Sequence, residues 1–225
     1  MKLTQKISRI FKIIGIYCSE RYATIVANKF WQNSTTTHGD MSETAFDFYY
    51  NELVKLIKPK KKDIILDYGG GNGEIAFRFK QNGYNIYHCD LSKSMVLKAR
   101  EKFGLKSYEC KDIEGKYDII LINNAFFYIH PKLYRKYLEN LHNLLNRNGI
   151  VYITDTPDFE KRHYLKMGTL KKILIYFFPV YQIEMAGFFV KDEYLRKIAK
   201  ETGFKTIERV NSWASYRSHW ILKKS

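Results

Sequence analysis

The feature that most restricts the fold of this chain is a run of glycines directly after a short apolar segment. Residues 63–68 read Asp-Ile-Ile-Leu-Asp-Tyr, and residues 69–74 read Gly-Gly-Gly-Asn-Gly-Glu. The first segment has the length and composition of a buried strand, and the glycines permit a sharp turn and a close approach of a ligand to the backbone. This pattern predicts a strand, a ligand-binding turn and a helix in an α/β sheet.

Strand-like and helix-like segments alternate on both sides of this turn. The predicted strands cover residues 63–68, 85–89, 107–110, 117–122, 149–154, 204–210 and 219–223, and the predicted helices cover 42–57, 73–82, 92–103, 132–145 and 191–202. Short loops between such segments are typical of a doubly wound sheet. We therefore predict a Rossmann-like α/β fold, mostly parallel with an antiparallel last strand.

Two regions lie outside this alternation. Residues 1–57 are predicted to be helical and to form an N-terminal cap, interrupted by a polar stretch at 32–40, with Asp40 and Ser42 suited to cap the next helix. Residues 58–225 are predicted to form the ligand-binding domain. Within it, the aromatic-rich segment 157–188 is an insert after the fifth strand, positioned where a lid over the substrate would lie.

The last position of the glycine turn distinguishes between two kinds of cofactor. A dinucleotide site needs Gly-x-Gly-x-x-Gly, but counting from Gly69 the final position is Glu74. A pyrophosphate rests on the amides of a helix N-terminus, where the carboxylates of Glu74 and Asp67 would repel it. S-adenosylmethionine has no phosphate and carries a sulfonium and an ammonium cation, so the turn favours this cofactor over NAD.

Two later acidic residues fit the same ligand. Asp90 ends the second predicted strand, 21 positions after Gly69, close to the spacing of about 20 expected for an acid that binds ribose hydroxyls. Leu91 and Met95 follow it and would form an apolar shelf beside the adenine. Asp112 could accept a hydrogen bond from the adenine amino group, with Ile113 packed on the ring.

In their order and spacing, these motifs and the strand Tyr-Asp-Ile-Ile-Leu-Ile-Asn-Asn at 117–124 resemble the class I S-adenosylmethionine-dependent methyltransferase family. The resemblance covers residues 57–154 well and 204–223 loosely. It implies S-adenosylmethionine as cofactor, S-adenosylhomocysteine as product, and a set of cofactor-lining residues. These are Asp67, Gly69, Gly71, Gly73, Asp90, Leu91, Met95, Asp112, Ile113 and Asn123.

The segment after the fourth strand faces the transferring methyl group in many members of this family that act on small molecules. Here Tyr128 stands where the family often has histidine, and His130 follows two residues later. Both are candidate catalytic residues. Each also has a structural interpretation, Tyr128 packing in the loop and His130 capping the next helix. His38 and His163 are further candidates to face the substrate.

The motifs exclude some methyl acceptors. The segment Asn-Asn-Ala-Phe at 123–126 lacks the prolines of amino-methylating DNA enzymes, and no cysteine follows a proline as cytosine C5 chemistry would need. A small-molecule acceptor remains, at an O or N atom, such as a sugar or a surface-polysaccharide precursor. The alternatives are an RNA methyltransferase, a non-catalytic cofactor-binding protein and an NAD-dependent dehydrogenase.

The net charge of +15 allows several partners. It fits a phosphorylated or lipid-linked acceptor, an anionic membrane surface or nucleic acid, and it also fits the lysine-rich composition of a whole proteome. We expect nucleic acid not to be the partner. The apolar spacing of residues 3–14 suits a helix packed on its own domain, which is our default, or one lying on a membrane, so contact at the inner membrane face is an option. The cysteine usage fits a reducing cytoplasm, where we expect the protein to be located. Three scattered cysteines support neither a disulfide framework nor a metal site.

Overall fold

The computed structural model describes residues 3–33 and 43–224. The α-helices are α1 (Leu3–Cys18), α2 (Glu20–Asn33), α3 (Glu43–Ile57), α4 (Glu74–Gln81), α5 (Lys93–Phe103), α6 (Tyr134–Leu144), α7 (Thr169–Phe177) and α8 (Asp192–Glu201). The strands are β1 (Ile64–Tyr68), β2 (Asn85–Asp90), β3 (Ser107–Glu109), β4 (Tyr117–Asn123), β5 (Leu145–Pro157), β6 (Val180–Gln182), β7 (Gly187–Phe188), β8 (Thr206–Asn211) and β9 (Arg217–Lys223). The helix caps predicted at Asp40 and Ser42, and the candidate His38, lie outside the described residues.

Seven strands form one sheet in the order β3-β2-β1-β4-β5-β9-β8. β1 lies between β2 and β4 and is parallel to both, with Leu66 opposite Tyr87 on one side and Ile120 on the other. β9 is antiparallel to both of its neighbours, β5 and β8. This confirms the predicted Rossmann-like sheet, mostly parallel with an antiparallel last strand.

The chain changes direction at β1, and this places the site. From β1 it winds outward through β2 and β3, then returns to the other side of β1 to form β4 and β5. The connections after β1 and β4 therefore diverge, which opens a crevice at the carboxyl ends of these two strands, where ligands bind in such sheets. The glycine turn and residues 123–130 meet at this crevice.

Helices cover both faces of the sheet because its central strands are apolar on both sides. On one face α6 and α8 pack on the sheet, with Leu138, Leu195 and Trp220 fully buried. On the other face α3, α4 and α5 do so, with Leu53 and Phe79 fully buried. The predicted cap of residues 1–57 therefore does not form one unit, since α3 belongs to the layer that covers the sheet.

α1 and α2 pack instead on the insert that follows β5. Ile16 of α1, Ala23 of α2 and Phe188 of β7 lie in a separate buried cluster with Val180. The break between the two helices follows from Ser19, whose side-chain oxygen accepts a hydrogen bond from the Tyr22 amide at 3.2 Å and so caps α2. The insert consists of a 3-10 helix, α7 and the β6-β7 pair.

Within the described residues, every helix is too short or too polar to cross a membrane.

Candidate functional site

A cavity of about 300 Å³ lies at the carboxyl ends of β1, β2 and β4. Its floor is the glycine turn, and α2 contributes to its wall from a distant part of the sequence. The lining residues from β1 to Met95 are Asp67, Tyr68, Gly69, Gly70, Gly71, Ile75, Asp90, Leu91, Ser92 and Met95. Those from β4 to α6 are Ile122, Asn123, Asn124, Ala125, Tyr128, Ile129, His130, Leu133 and Tyr137, and those from α2 are Thr24, Ala27, Asn28 and Trp31.

The glycine turn is held against β2 by the main chain. The amides of Gly69 and Gly70 donate to the carbonyl of Cys89 at 2.8 and 3.1 Å. Gly69 and Gly71 have φ values of 75° and 60°, which favour glycine. At Gly70 the requirement is spatial, because a Cβ atom there would lie 2.3 Å from Asp67 Oδ2 and 2.6 Å from His88 Cδ2. Gly70 was not singled out from the sequence, since the dinucleotide motif allows any residue at that position.

Asp67 is the most unusual charged group of the cavity. Its side chain is fully buried, and neither carboxylate oxygen has a hydrogen-bond partner among the described residues. Burial and the negative charge of Asp90 raise the pKa of Asp67 to about 7, and the nearby Ala76 amide, although not in hydrogen-bond geometry, opposes the shift by a smaller amount. A buried acid without a partner is destabilising, so its presence beside a cavity indicates that the partner is a ligand.

Asp90 is anchored by the turns on either side of it. One carboxylate oxygen accepts a hydrogen bond from the Gly71 amide at 3.0 Å, and the other accepts one from the Ser92 amide at 2.8 Å. Burial raises the pKa of Asp90, while these amide hydrogen bonds oppose the shift. The side chain is therefore fixed at the cavity edge, with acceptor lone pairs left for a ligand.

Asn123 and Asn124 form the wall at the end of β4. The side-chain oxygen of Asn123 accepts hydrogen bonds from Tyr49 Oη and Thr154 Oγ1, each at 2.7 Å. Asn124 has a φ of 51°, an unusual conformation for a residue with a side chain, and it accepts a hydrogen bond from Arg217 Nη1 at 2.6 Å. Asn124 was not predicted, although its position directly after an apolar strand is a signal that sequence reading could use.

Tyr128 lies in the cavity wall between two distant segments. Its ring makes an edge contact with Trp31 of α2 at a centroid distance of 5.2 Å, and its hydroxyl lies 3.5 Å from Met185 Sδ in the insert. Burial raises the pKa of Tyr128 well above its ordinary value. Its hydroxyl therefore stays protonated at neutral pH and can donate a hydrogen bond but does not act as a base.

His130 lines the cavity, but both ring nitrogens are engaged by the main chain. Nε2 lies 2.9 Å from the Tyr17 carbonyl oxygen and Nδ1 accepts from the Lys132 amide at 3.2 Å. Burial lowers the pKa of His130, and the hydrogen bond to the Tyr17 carbonyl opposes this shift in part. The arrangement agrees with the structural interpretation of His130 as a cap, and no nitrogen is left to remove a proton from an acceptor.

Three of the residues predicted to line the cofactor lie outside the cavity. Gly73 directly precedes α4 and lets that helix pack on α5, since a Cβ atom there would lie 2.6 Å from Leu105 Cδ1 and 2.9 Å from Ala99 Cβ. Asp112 is exposed on the short helix after β3, and Ile113 packs on the hydrophobic core beside α6. The placement of Asp112 and Ile113 follows from β3 being the edge strand, one position farther from β1 than β2 is.

His163 does not face the cavity. It lies exposed on the 3-10 helix Phe159–Tyr164, where its Nδ1 is 3.1 Å from the Glu160 carbonyl oxygen. It is not among the residues that line the cavity, so the geometry does not support a contact with substrate there. Among the described residues, the structure also contains no group of three potential metal ligands. Cys89 and Cys110 are free thiols with their sulfur atoms 3.0 Å apart.

Comparison with known proteins agrees with this geometry. Residues 41–209 match the family described as a methyltransferase domain. A segment of 69 residues, 31% of this chain, is 32% identical to a ubiquinone/menaquinone biosynthesis C-methyltransferase of Zymomonas mobilis, and it spans only 28% of that relative.

Solved structures share the fold at low sequence identity. Magnesium protoporphyrin IX methyltransferase of Synechocystis, with bound S-adenosylhomocysteine, has a TM-score of 0.60 and 21% identity over 90% of this chain and 99% of that one. The 1,6-didemethyltoxoflavin-N1-methyltransferase of Burkholderia thailandensis, with bound 1,6-didemethyltoxoflavin and S-adenosylhomocysteine, has a TM-score of 0.62 and 17% identity over 92% of this chain and 91% of that one.

The sheet, the glycine turn and the cavity at the end of β1 define a Rossmann-like cofactor-binding domain. The family match covers most of the chain, and this chain belongs to the methyltransferase-domain family. The resemblance to the class I S-adenosylmethionine-dependent methyltransferases, inferred from the motifs, is thereby confirmed.

Proposed function

We propose that this protein transfers a methyl group from S-adenosylmethionine to a small molecule. The observation that carries the proposal is the buried carboxylate of Asp67, which has no hydrogen-bond partner among the described residues and lines the cavity above the glycine turn. A cationic ligand would supply the missing partner, and S-adenosylmethionine carries two cations. When bound, it supplies a methyl group already activated by the positive sulfur.

The residues of the cavity fit this cofactor better than a dinucleotide. Asp67 would face its positive charge, and Asp90 would accept hydrogen bonds from ribose hydroxyls. Leu91 and Met95 would pack on the adenine. Because Gly69 and Gly71 have no side chains, the ligand can approach the main chain of the turn closely. Glu74, at the start of α4, pairs with Lys102 at 3.7 Å and does not line the cavity, so the carboxylate that would repel a pyrophosphate is that of Asp67.

The acceptor side is proposed to be the wall that contains Trp31 and Tyr128. This wall is mainly aromatic and aliphatic, with Ile129 and Leu133 beside it, and its polar groups are a few hydroxyls and amides. They belong to Thr24, Asn28, Asn124 and Tyr128. Such a lining suits a flat, largely apolar molecule, which can stack on the rings. The named substrates of the two structural neighbours, magnesium protoporphyrin IX and 1,6-didemethyltoxoflavin, support a small-molecule acceptor.

With Asp67 and Asp90 assigned to the cofactor, neither candidate residue on the acceptor side of the cavity supplies a free base. Tyr128 keeps its proton at neutral pH, and both nitrogens of His130 are engaged. The chain would therefore act by holding the acceptor in line with the methyl group and excluding water. This favours an acceptor atom that is nucleophilic without help, such as a carboxylate, an ionised phenol or a heterocyclic nitrogen.

A sugar or a surface-polysaccharide precursor is the second candidate. The charge of +15 favours a phosphorylated acceptor of this kind. A sugar, however, needs several directional hydrogen bonds, and the Trp31–Tyr128 wall provides few. We therefore rank the apolar acceptor first and include both classes in the test below.

The first test is calorimetric titration with S-adenosylhomocysteine, with NAD as a negative control. We expect micromolar affinity for the former and none for the latter. Asp90→Asn should weaken binding by about 1–3 kcal/mol, because hydrogen bonds to a charged acceptor are lost. Glu139→Gln, which changes the same charge on an exposed part of α6, should bind like the unmodified protein. Equal affinity of the Asp90 variant and this control would contradict the proposed cofactor site.

The second test is an acceptor screen that measures S-adenosylhomocysteine formation. One panel contains aromatic carboxylates, phenols and nitrogen heterocycles, and the other contains sugar nucleotides. Trp31→Ala should raise KM for the acceptor more than it changes cofactor affinity. Turnover only with sugar nucleotides would overturn the apolar acceptor while leaving the cofactor site intact.

A further inference from the structure

Two segments of this chain contain basic residues but no acidic ones. Residues 1–19 contain Lys2, Lys6, Arg9 and Lys12, and residues 161–183 contain Lys161, Arg162, Lys166, Lys171 and Lys172. Together they contribute nine of the charges in a chain whose net charge is +15. The remaining residues are closer to neutral, so the positive charge is concentrated rather than spread evenly.

The fold brings these two segments together. α1 lies in the first, and α7 with β6 lies in the second. Ile13 and Ile16 of α1 share a buried cluster with Val180, and Tyr17 makes an edge contact with Phe178 at a centroid distance of 5.7 Å. Arg9 forms a 3.1 Å ion pair with Glu184, just beyond the second segment. We call α1, α7, β6 and β7 the basic unit.

Both helices of the basic unit are apolar on their outer sides as well as their inner ones. On α1, Ile7 and Phe11 are 45% and 69% exposed and lie one turn apart on the same face. On α7, Ile173, Tyr176 and Phe177 share a face and are 52%, 61% and 64% exposed. Lys171 and Lys172 are exposed beside them. Exposed apolar side chains grouped on a helix face mark a surface that contacts another molecule.

We propose that the basic unit docks on the surface of an anionic lipid bilayer. Its exposed aromatic and aliphatic side chains would enter the interface between headgroups and acyl chains, and its lysines would contact anionic headgroups. Charge complementarity favours this occupant over a second copy of the chain, whose basic unit would repel it. The aliphatic faces favour it over nucleic acid, because phosphate contacts need no apolar residues.

The test is flotation of the full-length protein with vesicles of phosphatidylcholine alone or with 30% phosphatidylglycerol, the composition being our choice of probe. We expect binding to the anionic vesicles that weakens as salt is raised. Phe11→Ser with Phe177→Ser should reduce the partition coefficient at least tenfold. Phe48→Ser, which removes a 60% exposed phenylalanine on α3, should leave it unchanged.

A second pair of variants tests the charges. Lys171→Glu with Lys172→Glu should abolish the preference for anionic vesicles, whereas Lys60→Glu with Lys62→Glu, the same charge change outside the basic unit, should retain it. Unaltered affinity for S-adenosylhomocysteine shows that each variant is folded. No vesicle binding, equal loss in the control variants, concentration-dependent dimerisation that the phenylalanine variants abolish, or RNA binding in place of vesicle binding would each overturn the proposal.

Discussion

The ionised carboxylate of Asp67 is destabilised in the free protein by burial and by the charge of Asp90, and a bound cationic ligand would stabilise it. Burial and the charge of Asp90 raise its pKa to about 7, so a substantial fraction of the carboxyl is neutral at physiological pH. A cation bound nearby stabilises the ionised form. The proton equilibrium of this one residue is therefore coupled to cofactor affinity.

This coupling predicts that cofactor affinity depends on pH. Below pH 7 the carboxyl of the free protein is protonated, and binding must first ionise it at a cost of about 1.4 kcal/mol for each further pH unit. The cation of S-adenosylhomocysteine is its ammonium group, which loses its proton in alkaline solution. Affinity should therefore be highest near pH 8 and should fall between pH 7 and 5.5. Calorimetry across this range measures it, and Asp67→Asn should bind weakly with little pH dependence. The same pH profile in the variant would assign the effect to another group.

The same substitution should stabilise the unliganded protein. The folded-state pKa of Asp67 lies above its unfolded value of 3.8, so the free energy of unfolding decreases as pH rises from about 4 to 7. At pH 8, Asp67→Asn removes a buried charge and should raise the free energy of unfolding by about 1–3 kcal/mol. Denaturant unfolding without ligand measures this, and a less stable variant would show that Asp67 has a structural partner.

A side chain at position 70 is expected to destabilise the protein by steric overlap. A Cβ atom at this position would overlap Asp67 Oδ2 and His88 Cδ2, both buried and unable to move freely. Gly70→Ala should lower stability by about 1–3 kcal/mol and weaken cofactor binding. Gly168→Ala, at a glycine with no atom near its missing Cβ, is the matched control. Melting temperatures measure the stability of both variants, and calorimetry measures their cofactor affinity. Equal values for the two variants would contradict the predicted steric overlap at Gly70.

At the scale of elements, the glycine turn serves two different contacts. Gly69, Gly70 and Gly71 face the cavity, while Gly73 sets how closely α4 approaches α5. The spacing of the motif predicted a close approach at Gly73 but attributed it to the ligand. Sequence spacing alone does not distinguish the two, because both need a glycine with a positive φ at the start of a helix.

Gly73→Ala should therefore separate stability from binding. Its φ of 84° and the 2.6 Å distance from a new Cβ atom to Leu105 Cδ1 both oppose a side chain. We expect a loss of about 2 kcal/mol in the free energy of unfolding, with cofactor affinity within about threefold of normal for the folded fraction. A variant with full stability and no cofactor binding would indicate that Gly73 contacts the cofactor, as the motif predicted.

At the scale of the molecule, Arg217 links the ends of three strands and the insert. Nη1 donates to Asn124 at 2.6 Å and to the Asp155 carboxylate at 3.0 Å, and the guanidinium lies over the Tyr181 ring at 5.8 Å. Asn124 and Asp155 have φ values of 51° and 50° at the ends of β4 and β5. Two unusual conformations held by one side chain indicate that Arg217 shapes the cavity wall from outside the cavity.

We expect Arg217→Lys to disturb this wall. Lysine cannot reproduce the forked contacts, and Asp155 would remain buried without a full partner. The free energy of unfolding should fall by about 2–4 kcal/mol, and KM for the acceptor should rise. Arg135→Lys, at a partly exposed ion pair with Glu201, should change stability by less than about 1 kcal/mol. Equal melting temperatures for the two variants would contradict the linking role.

The sheet, the glycine turn and the meeting of Asp67, Asp90 and Asn123 at one cavity could be predicted from the local sequence. Each of these features is encoded in a contiguous strand, turn and helix, and parallel strands bring their carboxyl ends to the same edge. The tertiary structure decided which other residues complete the cavity. Trp31 reaches it from α2, and His130 is engaged by the carbonyl of Tyr17, 113 positions away. Contacts at such separations depend on how helices and the insert pack together, which the periodicity of a single segment does not encode.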